Sequence, residues 1–285
     1  MYPTNVLTSL KGRVFVIALL SLFIFSMASC GQGLKNKDVT LATTTSVNDS
    51  KLLDYLTPYL EKDTGIKLKI IAQGTGQAIK TGENGDADVL IVHDKASEEK
   101  FVSEGYGLKR IEFMYNYFVI VGPADDPVGI KASAGDNAAA AFKAIADKKA
   151  AFISRGDNSG TNKKELTIWK NASINPSGDW YVSAGKGMGD VLLMANEKNA
   201  YTLTDKATYL SMKDKLGLKI LLENAKDLFN QYTVIAVNPA KHPGINKEGA
   251  DAFIKWITSD KTLKLIGEYG KKEYGENLFN INYKK

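Results

Sequence analysis

The sequence predicts an α/β protein, with mostly parallel sheets covered by helices and either one large domain or two lobes. Three observations carry this. Strand and helix signals alternate along the chain, the pattern of parallel strands joined by helical crossovers. The alternation is broken at Gly122-Pro123 and then restarts. The chain has 285 residues, 44% hydrophobic and 24% charged, which rules out wholesale disorder and exceeds what one core comfortably covers.

The elements follow in order. Residues 39–42 read as a strand, and Asn48-Asp49-Ser50 supplies caps for a helix carrying Leu52, Leu53, Leu56, Tyr59 and Leu60 on one face. Pro58 should bend or weaken that helix. Residues 67–72 are a strand, followed by Gly74-Thr75-Gly76 and a short helix. Residues 88–92 are a buried strand, 97–105 a helix, and 113–121 a strand that Gly122-Pro123 ends. In the second series, helices are expected at 138–148, 161–170, 189–197 and 205–212. Strands are expected at 151–154, 180–182, 200–203, 219–222 and 232–237, and two helices at 247–258 and 261–270 close the chain.

The start of the chain reads as a leader. Lys11 and Arg13 precede an apolar run over residues 14–27, which is shorter than the ~20 residues of a membrane-spanning helix. Ala28-Ser29-Cys30 follows and resembles the lipobox of bacterial lipoproteins, with Met27 where Leu is commoner. That resemblance implies a diacylglyceryl group on Cys30 and a mature chain starting there; the alternative is an ordinary signal peptide before a buried free Cys. The expected layout is therefore a signal peptide at 1–29, a polar tether at 30–38, and a protein held outside the cytoplasmic membrane, where ATP is scarce. Without Lys11 and Arg13 the formal charge falls from +5 to +3.

Composition excludes several chemistries. The small, interspersed charge excess argues against a dedicated nucleic-acid binder. One cysteine allows no intramolecular disulfide, cysteine zinc site or iron–sulfur cluster. His93 and His242 are the only histidines, so a His-rich metal centre is impossible and a Ser–His–Asp enzyme could use just one of them. Neither a P-loop nor a Gly-x-Ser-x-Gly elbow is present. Asp86, Asp88, His93 and Asp94 flank a strand end and read as solvated loop charge sooner than as metal ligands.

Three segments share one design. Thr43-Thr44-Thr45-Ser46, Gly74-Thr75-Gly76 and the stretch Ser154-Arg155-Gly156-Asp157-Asn158-Ser159-Gly160-Thr161 each follow a strand and precede a helix. A helix N-terminus offers unpaired N–H groups and the positive end of the dipole. Ser and Thr add hydroxyl donors, Gly allows close approach, and Arg155 adds a planar charged fork. Each of the first two alone is more often a simple cap or turn. Together the three make an oxyanion site from Thr44, Thr45, Ser46, Thr75, Arg155, Ser159, Gly160 and Thr161. Whether Asp157 accepts a ligand proton or only orients Arg155 stays open, as does which of Thr44, Thr45 and Ser46 faces the ion.

These segments, with Gly82-Glu-Asn-Gly-Asp-Ala-Asp-Val-Leu90, Met114-Tyr-Asn116, Gly187-Met-Gly-Asp190 and Ala200-Tyr-Thr-Leu-Thr-Asp205, resemble the tungstate-binding proteins of bacterial ABC uptake systems. The resemblance runs from about Val39 to the C-terminal helices. It implies a type II periplasmic-binding-protein fold in which two α/β lobes hold an oxyanion, tungstate or molybdate. It also implies delivery to a membrane permease driven by a cytoplasmic ATPase. The chain is expected to cross between lobes near Gly122 and return near Asn230. That gives lobe 1 as residues 39–122 with 231–285, and lobe 2 as 123–230. A monomer without cofactor, metal cation or nucleic-acid partner is expected. The competing readings are a phosphate-binding transport protein, whose site needs an acceptor carboxylate for the proton that phosphate keeps, and an extracytoplasmic hydrolase, for which no nucleophile–base pair is recognisable.

Overall fold

Helical crossovers set the direction of the first strands. The computed structural model describes residues 34–284; the leader and Cys30 lie outside the described residues. β1 (Asp38–Thr44), β2 (Lys67–Gln73) and β3 (Val89–Val92) are linked by α2 (Leu52–Thr64) and α3 (Thr75–Glu83). β1 pairs in parallel with both of the other strands. The face of α2 formed by Leu52, Leu53, Leu56 and Leu60 is buried, whereas Tyr59 is exposed and packs against Tyr55. The helix continues through Pro58, whose exposed place leaves the carbonyl it cannot pair open to solvent.

The sheet is mixed where the alternation predicted mostly parallel pairing. α4 (Lys95–Ser103) leads to β4 (Ile111–Gly122), and the returning strand β9 (Phe229–Ala236) lies between β3 and β4, antiparallel to both. β3 and β4 thus run in the same direction, as the crossover requires, but a strand from much later in the chain separates them. The strand order is β10-β4-β9-β3-β1-β2, with β10 (Asn280–Ile281) on the edge.

β4 serves two sets of partners. Its residues 111–117 pair with β9, and residues 118–122 pair antiparallel with β7 (Thr202–Asp205) and β8 (Lys219–Leu222). A separate two-stranded parallel sheet joins β5 (Phe152–Ser154) and β6 (Tyr181–Ser183).

Two buried apolar cores result. One gathers Phe118, Ile120, Phe142, Phe152, Trp169 and Tyr201 around β4, β5, β7, α6 (Ala138–Asp147) and α7 (Gly160–Asn171). The other gathers Ala78, Ile79, Leu90, Val92, Phe101 and Ile235 around β3, β9 and α3. The chain also forms α8 (Met188–Glu197), α9 (Lys206–Met212), α10 (Lys247–Ile257) and α11 (Asp260–Glu268), close to the helices the sequence predicts. The short α1 (Thr45–Asp49), α5 (Ile130–Ser133) and α12 (Lys271–Tyr274), and β10, are not visible in the periodicity. Among the described residues, no helix is long and apolar enough to cross a membrane.

Candidate functional site

The three strand-to-helix junctions meet in space. At the first, β1 runs into α1. Thr44 caps α1: its Oγ1 accepts from Val47 N–H at 3.3 Å and lies 3.0 Å from Ser46 Oγ. At the second, β2 runs into α3, which Gly74 begins without a side-chain cap. At the third, β5 runs into α7, and Ser159 caps it by accepting from Asn162 N–H at 3.2 Å.

Local geometry explains the composition of the third junction. Gly156 has φ +59°, and a Cβ there would lie 1.9 Å from Ser183 Oγ, so only glycine fits. Asn158 takes the same left-handed region, which Asn tolerates. The resulting turn lets Asp157 bridge its neighbours. Its Oδ2 accepts from Arg155 Nη2 at 2.5 Å and its Oδ1 accepts from Ser159 N–H at 3.2 Å.

Two hydrogen bonds tie the junctions together. Arg155 Nη2 donates to Thr45 Oγ1 at 3.0 Å, and Gly160 N–H donates to Thr75 Oγ1 at 2.8 Å. Gly160 sits against His93 and the second junction closely enough that a Cβ there would lie 3.0 Å from His93 Cε1 and 3.1 Å from Thr75 Oγ1. Its own N–H is spent on Thr75, so what it gives the site is room. Gly187, which begins α8 without a side-chain cap, also borders Thr45.

Thr45, Thr75 and Ser159 each use a lone pair to accept from a fixed N–H donor, which leaves their hydroxyl hydrogens for another partner. Arg155 Nε and Thr161 Oγ1 are buried with no partner among the described residues. Arg155 itself is 2% exposed. Buried donors without acceptors are rare and costly. The carboxylates nearby are already engaged. Asp157 accepts from Arg155 and Ser159, and Asp205 accepts from Thr208 N–H at 2.9 Å and Thr208 Oγ1 at 2.7 Å. Burial raises the Asp205 pKa to about 6, and it likewise holds Asp49 above the ordinary carboxylate range. The cluster therefore offers donors and one guanidinium charge to an acceptor-rich anion.

The sequence reading missed His93. By position it reads as solvated loop charge with Asp86, Asp88 and Asp94, and the structure corrects this for three of those four residues. His93 is buried: its Nε2 lies 3.1 Å from Ser46 Oγ and its Nδ1 lies 2.9 Å from Asn230 Oδ1. Desolvation pulls its pKa down to about 4, so the ring is neutral. Asp88 is buried and accepts from Thr40 N–H and Asn246 N–H, and Asp94 pairs with Lys163 at 2.7 Å. Among the described residues, no group of His, Cys, Asp and Glu side chains could hold a metal ion. Beside the junctions a cleft of about 460 Å³ opens, lined by His93, Phe118, Gly160, Lys163, Lys164 and Asn230 among others.

Known proteins resemble this chain. The family described as PBP superfamily domain matches residues 32–261. A tungstate-binding protein of Peptoclostridium acidaminophilum is 57% identical over 247 residues, 87% of this chain and 86% of the relative. The crystal structure of the tungstate ABC transporter from Geobacter sulfurreducens is 49% identical with a TM-score of 0.76, covering 82% of this chain and 99% of that one. The tungstate-binding protein from Desulfovibrio alaskensis is 46% identical with a TM-score of 0.72, covering 87% of this chain and all of that one. With these matches the chain belongs to the PBP superfamily, in the family of its tungstate-binding relatives.

Proposed function

We propose that this chain is the extracytoplasmic substrate-binding protein of an ABC importer and that it captures tungstate, with molybdate as a second ligand. It is a binding protein and not an enzyme. The observation that carries the reading is the pair of buried, partnerless donors, Arg155 Nε and Thr161 Oγ1, where three junctions meet. An unprotonated tetrahedral dianion supplies the acceptors those donors lack. In this reading Thr45, Thr75, Ser159 and Thr161 donate through their hydroxyls, Arg155 through its guanidinium, and Thr44 and Ser46 through the hydrogen-bonded pair they form. Phosphate keeps a proton that needs an acceptor, whereas Asp157 and Asp205 each already accept two hydrogen bonds from the protein and Arg155 Nε and Thr161 Oγ1, without partners among the described residues, can donate.

The ion is held between two lobes, residues 39–122 with 231–285 and residues 123–230. The separate cores support two lobes, although Phe118 and Ile120, inside the first range, pack into the core of the second. The donors come from both parts, so a complete shell needs the lobes closed around the ion. A lipid on Cys30 tethers the monomer to the membrane, beside a permease and its cytoplasmic ATPase. Calorimetric titration of the purified protein with tungstate, molybdate, sulfate and phosphate tests the ligand. Tight binding of the first two alone is expected, and preference for phosphate would contradict the reading. For the anchor, Cys30→Ala protein should leave the membrane fraction; if it stays there, the anchor is wrong.

A further inference from the structure

We infer that His93 is a positioning residue of the oxyanion site: which of its ring nitrogens carries the proton decides whether the Thr44–Ser46 pair has a hydroxyl hydrogen left for the ligand. The inference rests on the site proposed above. A continuous buried network carries it. Thr44 Oγ1 lies 3.0 Å from Ser46 Oγ, Ser46 Oγ 3.1 Å from His93 Nε2, and His93 Nδ1 2.9 Å from the Asn230 side-chain amide. That amide in turn lies 2.8 Å from the Asn116 amide and 2.9 Å from Tyr232 Oη.

The network has two self-consistent directions. With the proton on Nδ1, His93 donates to the Asn230 carbonyl oxygen, and the Asn230 NH₂ donates to Asn116 Oδ1 and Tyr232 Oη. Nε2 then accepts from Ser46, Ser46 accepts from Thr44, and both hydroxyl hydrogens are spent. This direction leaves Asn116 Nδ2 buried without a partner. With the proton on Nε2, His93 donates to Ser46 Oγ. The two amides turn over together: Asn230 NH₂ donates to Nδ1, and its carbonyl accepts from Tyr232 O–H and Asn116 NH₂. One hydroxyl hydrogen of the Thr44–Ser46 pair is then free. An anion gives that hydrogen an acceptor, so binding selects the second direction.

The ring cannot evade the choice by rotating away. It packs against Tyr232 at 5.0 Å and Phe118 at 6.1 Å between ring centroids, and Gly160 closes the other side. Arg155, Lys164 and Asp94 are the charged groups that face it. Asn116 and Asn230 lie on β4 and β9, the strands that run between the two cores, so the same reversal reaches the crossovers.

Nitrogen NMR of wild-type protein labelled at its two histidines tests this, before and after saturating sodium tungstate at pH 7. The Nδ1–H signature is expected in the free protein and the Nε2–H signature with tungstate. One tautomer in both states, with tungstate bound, would overturn the role of His93 alone. Failure of tungstate to bind would overturn both the site and this inference. As a second arm, His93→Leu should lower tungstate affinity by about tenfold to a hundredfold, one donor to a charged partner. His93→Gln should recover most of it, because its amide can still donate to Ser46. Equal losses in the two variants, or none in His93→Leu, would refute the inference, and should His93→Leu not fold, the wild-type spectra decide.

Discussion

Arg155 and Glu165 are both 2% exposed, one just before α7 and the other within it, yet they are built in opposite ways. Glu165 is saturated: it accepts from Ser154 Oγ at 2.6 Å, Tyr181 Oη at 2.7 Å and Trp169 Nε1 at 3.0 Å. Arg155 is unfinished, with Nη2 engaged by Asp157 and Thr45 and Nε without a partner among the described residues. A buried charge whose bonds all close within the protein holds the fold together. A buried charge with a donor left over marks where something else belongs. The pair Arg155–Asp157 also shows that a structural ion pair and a ligand role are not exclusive, since the pair uses one nitrogen of three.

The contrast breaks most visibly at Glu165. Glu165→Ala strands three donors beside the core that holds Trp169 and should cost about 3–5 kcal/mol of stability in denaturant unfolding. Tungstate affinity of the folded fraction should stay as in wild type. Arg155→Ala should show its main effect in calorimetry, lowering tungstate affinity by about a hundredfold or more, through loss of a charged bond and exposure of the ion to an uncompensated Asp157. Arg155→Lys should fall between, because charge remains and the planar fork does not. Thr161→Val sharpens the contrast further. It removes a hydroxyl that has no partner among the described residues, so the empty protein should lose no stability in thermal melts. Tungstate affinity should fall about tenfold, the low end for a bond to a charged group.

A further effect is one of pH. Folding lowers the His93 pKa from 6.5 to about 4, so as pH falls through this window the unfolded chain takes up a proton first and is favoured. Asp205 acts with the opposite sign: its folded pKa of about 6 lies above the ordinary 3.8, so the stability it contributes is lost as pH rises through 6. His93→Gln removes only the first contribution. Between pH 7 and pH 5 the variant should therefore gain on wild type by about 2 kcal/mol or less. A variant that loses ground over that range would contradict a neutral buried His93.

Much of this was legible in the sequence because it is local. A run such as Thr44-Thr45-Ser46 or Ser159-Gly160-Thr161 shows its junction by composition alone. What was hidden depends on pairing at long range. His93 follows a strand beside Asp94 and looks like loop charge until the fold brings in Ser46 and Asn230. The mixed sheet was hidden for the same reason: crossover helices fix the direction of β3 and β4, but nothing local says that β9 inserts between them. The unspent donors at Arg155 and Thr161 appear only once every neighbour has been placed.

The central claim is that those two donors face the ion, and anomalous X-ray scattering at a tungsten absorption edge tests it most directly. Crystals of the wild-type protein grown with tungstate should show one strong peak, within hydrogen-bonding reach, through the tungstate oxygens, of Arg155 Nε and Thr161 Oγ1. A peak seated away from both groups, or none at saturating tungstate, would contradict the account.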